Sequence, residues 1–419
     1  MLPNLLFLTQ RIPYPPIKGE KIRPLQILRH LAKTHRVHLG CLVDDPADMA
    51  HIPVIQEICA DSYFAPLDRK RARITCLRGL LTGEPLSVTF FRDRGLAGWV
   101  RDVLARVRPK VIFVCSSNMA SYVLGQDWHK AVSIVDLADV DSEKWRAYAE
   151  TGTFPMRWVH NREWQKTAAL EAEIAKRCDW STFVTDAEAG LFKQLQPQAS
   201  AHIRGIASGV DHVYFDPCRA YAPPYDTQRP NYLFTGTMDY KPNVDAVTWF
   251  AQDVLPLIRR SRPDAQFHIA GSNPAPSVQA LAGDGIFVTG RIPDMRPHLA
   301  YATACVAPML IARGIQNKVL EGMAMARPVV VTSGALEGID AAPGSELLLA
   351  DDTKTFAAHC LSVTGPDGAQ HGIALGQAAR NKVMSAYIWQ ERLRGFDALL
   401  QETAAAHEQE TAGLEGQTP

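Results

Sequence analysis

Arg313, Lys318 and Glu321 place two cations and a carboxylate in one short stretch, RGIQNKVLEGMAMARPVVV (313–331). The pattern reads as a glycine-containing loop around Gly314, a helix beginning near Gln316, and a Pro-started apolar strand. Lys318 and Glu321 are three apart, so they share one helix face. A cation in a first helical turn opposes the helix dipole, so capping gives Lys318 no reason to be there. A bound anion supplies one, with helix-start N–H groups, Asn317 and Lys318 suited to phosphate. Glu321, one turn on, is then suited to sugar hydroxyls. The plainer alternative is a Lys–Glu pair on a solvated face.

Other candidates also follow strand-like runs. TQRIPYPPIKGEKIRP (9–24) puts Gly19 before a helix carrying Glu20, Lys21 and Arg23, either as a helix-start glycine or as a loop whose backbone meets an anion. FTGTMDYKPNVDA (234–246) repeats that plan. Gly236 ends its strand, Lys241 sits in its loop, and Asn243 is an N-cap candidate. GIFVTGRIPDM (285–295) sets Gly290 and Arg291 after a third strand, where a loop can meet a base edge. IVDLADVDSEKW (134–145) offers Asp136, Asp139 and Asp141. Carboxylates there can bind acceptor hydroxyls or take a proton. Asp136 and Asp139 are the catalytic candidates, whereas Asp141 or Ser142 reads as a helix cap.

Such residues need strand ends to hold them, and the chain supplies two sets. The first comprises 4–10, 36–43, 110–117, 131–137 and 180–186, with amphipathic stretches such as 20–34 and 97–107 between them. After a Pro/Tyr/Asp-rich linker (215–231) the pattern restarts with NYLFTG, AQFHIAG, GIFVTG, ACVAPM, PVVVTS and ELLLA. Strands alternating with helices predict parallel, doubly wound α/β sheets, and two sets predict two domains facing a cleft. The expected domains are 1–207 and 208–385, followed by a helix over 386–403 and a disordered tail over 404–419.

Composition narrows the function. Lys plus Arg and Asp plus Glu both total 44, so no basic excess points to nucleic acid. The eight cysteines show no CxxC and the thirteen histidines no HExxH, so no metal and no disulfide framework is expected. No GxGxxG occurs, which argues against a dinucleotide cofactor. The start reads as a strand entering a Pro-rich loop rather than a signal peptide, and no run of about eighteen apolar residues suggests a spanning helix. A cytoplasmic protein is expected, with DRKRARITCLRGLL (68–81) able to lie on anionic lipid at the inner membrane face or to form a solvated helix. Trp145, Trp158 and Trp164 read as packing residues.

The order of these motifs resembles the GT-B-fold glycosyltransferases of family 4, the glycogen-synthase-like group. The resemblance covers roughly 1–400 and rests on the loop around Gly19, VTDAEAGLF, SGVDHVYFDP (208–217), FTGTMDYKPNVDA, VTGRIPD and KVLEGMAMARPVVVT. RIPYPPIKGEKIRP, DLADVDSEKW and IARGIQNKVLEGMAMA look more narrowly like sugar transferases of exosortase (PEP-CTERM) exopolysaccharide systems. The resemblance implies a GT-B fold of two Rossmann-like domains, the last helix crossing back to the N-terminal one. It implies donor binding by Gly19, Gly236, Lys241, Arg291, Arg313, Gly314, Asn317, Lys318 and Glu321. In that reading Lys241 and Lys318 meet the diphosphate, Glu321 holds the ribose and Arg291 lies near the base. Two positions depart from the family pattern. Arg313 stands where many members have a glutamate, and Val135-Asp136 where many have His-Asp.

The implied reaction is retaining transfer of a sugar from a nucleotide-diphosphate sugar to a saccharide or polyprenyl-linked acceptor, with no metal or cofactor. Lys318 would stabilise the leaving diphosphate, and the departing phosphate would take the acceptor proton. A nucleotide-sugar epimerase on the same fold and a non-catalytic nucleotide-sugar-binding protein are the alternatives.

Overall fold

The computed structural model describes residues 2–16, 19–128, 131–310 and 315–415. The chain divides into two compact units, Met1–Ala207 with Leu393–Pro419, and Ser208–Arg392.

The first unit is built on a seven-stranded sheet in the order β3-β2-β1-β4-β5-β6-β7. Its strands are β1 (Asn4–Thr9), β2 (Arg36–Val43), β3 (Asp61–Pro66), β4 (Val111–Cys115), β5 (Val132–Ala138), β6 (Trp180–Phe183) and β7 (Ile203–Gly205). All neighbours pair in parallel. Leu5, Leu6, Phe7 and Leu8 are buried in succession, as a strand covered on both faces requires. β3 and β7 are additions to the sequence reading. β3 (DSYFAP) is a partly exposed edge strand lacking an apolar run, and β7 is only three residues long. Both fall below what periodicity can detect.

The second unit has six parallel strands in the order β10-β9-β8-β11-β12-β13. These are β8 (Asn231–Thr235), β9 (Gln266–Ala270), β10 (Ile286–Gly290), β11 (Ala304–Ala307), β12 (Val329–Val331) and β13 (Leu348–Leu349). Tyr232, Phe234, Phe250, Phe267 and Phe356 are among its fully buried side chains. In each unit the strand order reverses beside the first strand, between β1 and β4 and between β8 and β11. Open sheets of this class bind ligands at that point, beyond the C-terminal strand ends.

The last helix runs from Trp389 to Glu415, so the tail expected to be disordered over 404–419 is helical through Glu415. AAAHEQETAGLE is rich in strong helix formers, and a helix already begun propagates through it. Tertiary contacts hold its middle. Phe396 meets the Phe113 ring edge-on at 5.1 Å, and Trp180 donates its indole N–H to Thr403 at 2.6 Å.

Candidate functional site

In the second unit the loops after β8 and β11 come together across the reversal point. After β11, the helix Asn317–Ala324 begins at Gln316, which makes no side-chain cap bond. Lys318 donates its Nζ to Asn243 Oδ1 at 2.8 Å and to Met309 Sδ at 3.6 Å, and lies 4.7 Å from the Phe234 ring centre. Asn243 is fixed in turn, its Nδ2 donating to the Thr237 carbonyl at 2.9 Å. The ammonium therefore sits over the end of β8, held by a neutral oxygen, a sulfur and a ring face. Loss of hydration lowers the Lys318 pKa to about 8, against a raising influence from Glu321.

Glu321 lies on the same helix face, partly buried. Withdrawal from water raises its pKa to about 7, with Lys318 acting in the opposite sense. Among the described residues no group donates a hydrogen bond to its carboxylate. An acceptor that has lost water without gaining donors is costly to the fold and open to a ligand that brings them.

Three glycines bring the neighbouring strand ends close. Gly236 donates its N–H to the Ala270 carbonyl at 3.0 Å, and Gly271 donates to Gly290 at 3.1 Å. A Cβ on Gly271, whose φ is 152°, would stand 1.6 Å from the Gly236 carbonyl oxygen, so only glycine fits. Gly290 has a φ of 66° and precedes the exposed Arg291. Tyr214 and Arg296 escaped the sequence reading. The Arg296 guanidinium lies 4.1 Å from the Tyr214 ring centre and pairs with Asp294 at 2.8 Å. The Tyr214 phenol is pushed up by burial and by Asp294, and Glu321 adds to the effect. Tyr214 sits within SGVDHVYFDP, whose aromatic pair shows no periodicity that separates an exposed ring from a buried one.

Several expectations change. Asn243 is not an N-cap: the helix Lys241–Trp249 starts after Tyr240, and Asn243 points back from inside its first turn to Thr237. Lys241 has an 83% exposed side chain and pairs with Asp245, one turn on, at 2.8 Å. It does not join Lys318. Asn317 opens its helix beside Lys318, whereas Arg313 and Gly314 lie outside the described residues.

In the first unit Asp136 is 3% exposed, and Arg23 grips both its oxygens at 2.7 and 2.8 Å. Thr182 adds a third bond at 2.8 Å. A carboxylate so enclosed cannot reach an acceptor, so Asp136 is a structural anchor, not a catalytic group. Its partner was invisible because Arg23 lies far away in sequence. Asp139 is half-buried and paired with Lys144 at 2.8 Å, following Ala138 at a left-handed φ of 67°. Asp141 and Ser142 do not cap their helix. Glu171 of the helix Met156–Arg177 does so, accepting from Ser142 N at 3.1 Å and Ser142 Oγ at 2.5 Å. Burial pushes the Glu171 pKa up to about 7.

Gly19 is exposed at the start of the helix Gly19–Leu31. The charges around it are taken up locally: Glu20 pairs with Arg11 at 3.0 Å and Lys21 with Asp48 at 2.5 Å. Trp158, expected to pack, is 57% exposed. Among the described residues no group of three or more His, Cys, Asp and Glu side chains is placed to hold a metal ion.

Residues 229–364, wholly inside the second unit, match the family model described as glycosyl transferases group 1. A curated relative, an uncharacterized 44.6 kDa protein in the cps region of Klebsiella pneumoniae, is 26% identical over 147 residues. That match spans 33% of this chain and 38% of the relative. Sucrose-phosphate synthase from Thermosynechococcus elongatus superposes with a TM-score of 0.68 at 16% identity, over 96% of this chain and 100% of that one. Anabaena HepE, solved in complex with UDP, gives 0.64 at 12% identity over 95% and 100%. HepE has also been solved with UDP-glucose. These likenesses give the fold as GT-B, and the family match lies within the second unit.

Proposed function

We propose that this chain is a retaining glycosyltransferase that moves a sugar from a nucleoside diphosphate sugar to a saccharide or lipid-linked saccharide. The observation that carries the reading is Glu321. Its carboxylate is partly withdrawn from water, receives no hydrogen bond among the described residues, and stands one turn beyond Lys318 at the strand-order reversal. Vicinal ribose hydroxyls supply two donors to such an acceptor, and the diphosphate then falls beside Lys318 and the helix-start N–H groups. UDP and UDP-glucose bound to HepE support this choice of ligand class, and the cps-region relative supports a role in polysaccharide synthesis.

The barrier in such a transfer is departure of the diphosphate from a carbon acquiring positive charge. Lys318, held by Asn243 and Phe234, is in position before the charge develops, so little reorganisation is needed when it does. Retention follows if the acceptor attacks from the side the phosphate leaves, with a phosphate oxygen taking its proton. That route needs no carboxylate base from the first unit, where Asp136 is occupied. Asp139 remains the acceptor-side candidate there.

The test is calorimetric titration with nucleoside diphosphates, followed by transfer assays on polyprenyl-linked and free saccharides. The reading predicts binding that Glu321→Ala abolishes. Unchanged nucleotide affinity in Glu321→Ala would sink it. The enclosure of Asp136 favours one second reading, a nucleotide-sugar-binding protein without turnover. Binding with no transfer to any acceptor, and no hydrolysis, would select that reading.

A further inference from the structure

The first unit exposes apolar side chains that its core does not use. Helix Arg69–Thr75 continues through the tight turn Cys76–Arg78 into Gly79–Thr82, ending at Gly83 with a left-handed φ of 76°. Along this path Ile74, Leu77 and Leu81 are exposed, Leu81 to 90%. Their spacing of three and four sets them on one side. Arg69, Lys70, Arg71, Arg73 and Arg78 are exposed around them, and no Asp or Glu occurs between residues 69 and 82.

A second apolar tip lies beside the first. Phe154 (86% exposed) precedes the helix Met156–Arg177, and the exposed Met156 and Trp158 lie in its first turn. Arg162, one turn on from Trp158 and on the same face, donates to the Gly79 carbonyl and, at 3.0 Å, to the Glu84 carbonyl. Glu163 accepts from Leu86 N at 2.7 Å. The two tips are thus tied together by hydrogen bonds within one unit, and the exposed cations lie along the first of them.

We infer that this surface docks on an anionic lipid bilayer, with Leu81, Phe154 and Trp158 entering the interface and the arginines meeting headgroups. Clusters of exposed large apolar side chains mark interaction sites in soluble proteins. Leucine and aromatic side chains interleaved with unpaired-sign basic residues are the composition of interfacial helices. Each Lys or Arg near an anionic surface adds attraction that salt weakens. Among the described residues no helix is long and apolar enough to cross a membrane, so this contact would be peripheral. The inference goes beyond the proposed transfer reaction and does not depend on it. A lipid-linked acceptor would, however, be presented to the enzyme on such a surface.

The test is sedimentation of the full chain with phosphatidylcholine vesicles, with and without phosphatidylglycerol. Binding is expected only with phosphatidylglycerol and is expected to fall as salt rises. Arg71→Glu with Arg73→Glu is expected to weaken it by about tenfold or more, and so is Leu81→Ser with Trp158→Ser. Both pairs are exposed, and unchanged melting and nucleotide titrations would show that the fold and the second unit are intact. No binding to phosphatidylglycerol vesicles, or binding that both double variants leave unchanged, would overturn the inference. So would a concentration-dependent dimer lost in Leu81→Ser/Trp158→Ser, which would assign the surface to a second copy. Sedimentation requires no nucleotide, so its outcome is independent of the donor-site test.

Discussion

Arg23 with Asp136 in the first unit and Lys318 with Glu321 in the second bring opposite charges close, and the two pairs are built in opposite ways. Arg23 and Asp136 are both buried, meet through two parallel hydrogen bonds, and gain a third from Thr182. Lys318 and Glu321 share a helix face, yet the lysine donates to Asn243 instead, and the carboxylate accepts from no described residue. The first pair uses its bonding capacity internally. The second keeps capacity in reserve, and both of its pKa values move toward the neutral form. Charge that serves the fold is saturated, whereas under the proposed function the second pair is left incomplete for a ligand, at some cost to the ligand-free protein.

Breaking the saturated pair should have the largest effect on the fold. Arg23→Ala strands a buried carboxylate and should lower stability by about 3–5 kcal/mol in denaturant titrations. Lys318→Ala should instead leave the melting temperature near that of the parent while lowering kcat about a hundredfold or more. Glu321→Gln sharpens the contrast further. It removes an unsatisfied charge, so at pH 8 the ligand-free protein should gain about 1 kcal/mol while losing nucleotide affinity.

The pH dependence follows from the same pair. Between about 4.5 and 7 folded Glu321 holds a proton that the unfolded chain has released, so its contribution to stability declines as pH rises through that window. Between about 8 and 10.5 folded Lys318 has lost a proton that the unfolded chain keeps, so its contribution improves with rising pH. Under the proposed function, binding of a nucleoside diphosphate needs the ionised acid and the protonated amine together. Affinity should therefore be greatest between about pH 7 and 8, and Glu321→Gln should remove the acid limb in calorimetric titrations. The smallest effect belongs to Lys241→Ala. With its side chain in solvent and paired to Asp245, its loss should change nucleotide affinity within about twofold. A loss as large as that of Lys318→Ala would show that Lys241 leaves Asp245 when ligand arrives.

Most of the architecture was legible because alternating strands and amphipathic helices repeat locally. The two strands that were missed, β3 and β7, are an edge and a three-residue pairing, which depend on neighbours for their existence. At the candidate site, Lys318 and Glu321 stand out in the sequence as candidates because a lysine in a first helical turn conflicts with the dipole. Asn243, Asp136 and Asp141 were misread for one reason. Each has a partner that sequence spacing cannot reveal: Lys318 for Asn243, Arg23 for Asp136, and Glu171 in place of a local cap at Asp141. Local rules recover what adjacent residues decide, and they fail where a distant side chain arrives first.

The helix Trp389–Glu415 has a consequence for how the chain comes off the ribosome. The first unit takes residues up to Ala207 and then resumes at Leu393, so a whole folding unit is synthesised between its two parts. At about 5–20 residues per second, some tens of seconds pass before Phe396 can cover Phe113 and Thr403 can accept from Trp180. Throughout that interval the nascent sheet presents an aromatic face that the finished protein hides. Ribosome-stalled chains ending near residue 390 should therefore be held by hydrophobic-surface chaperones, and chains long enough to free the last helix should be let go.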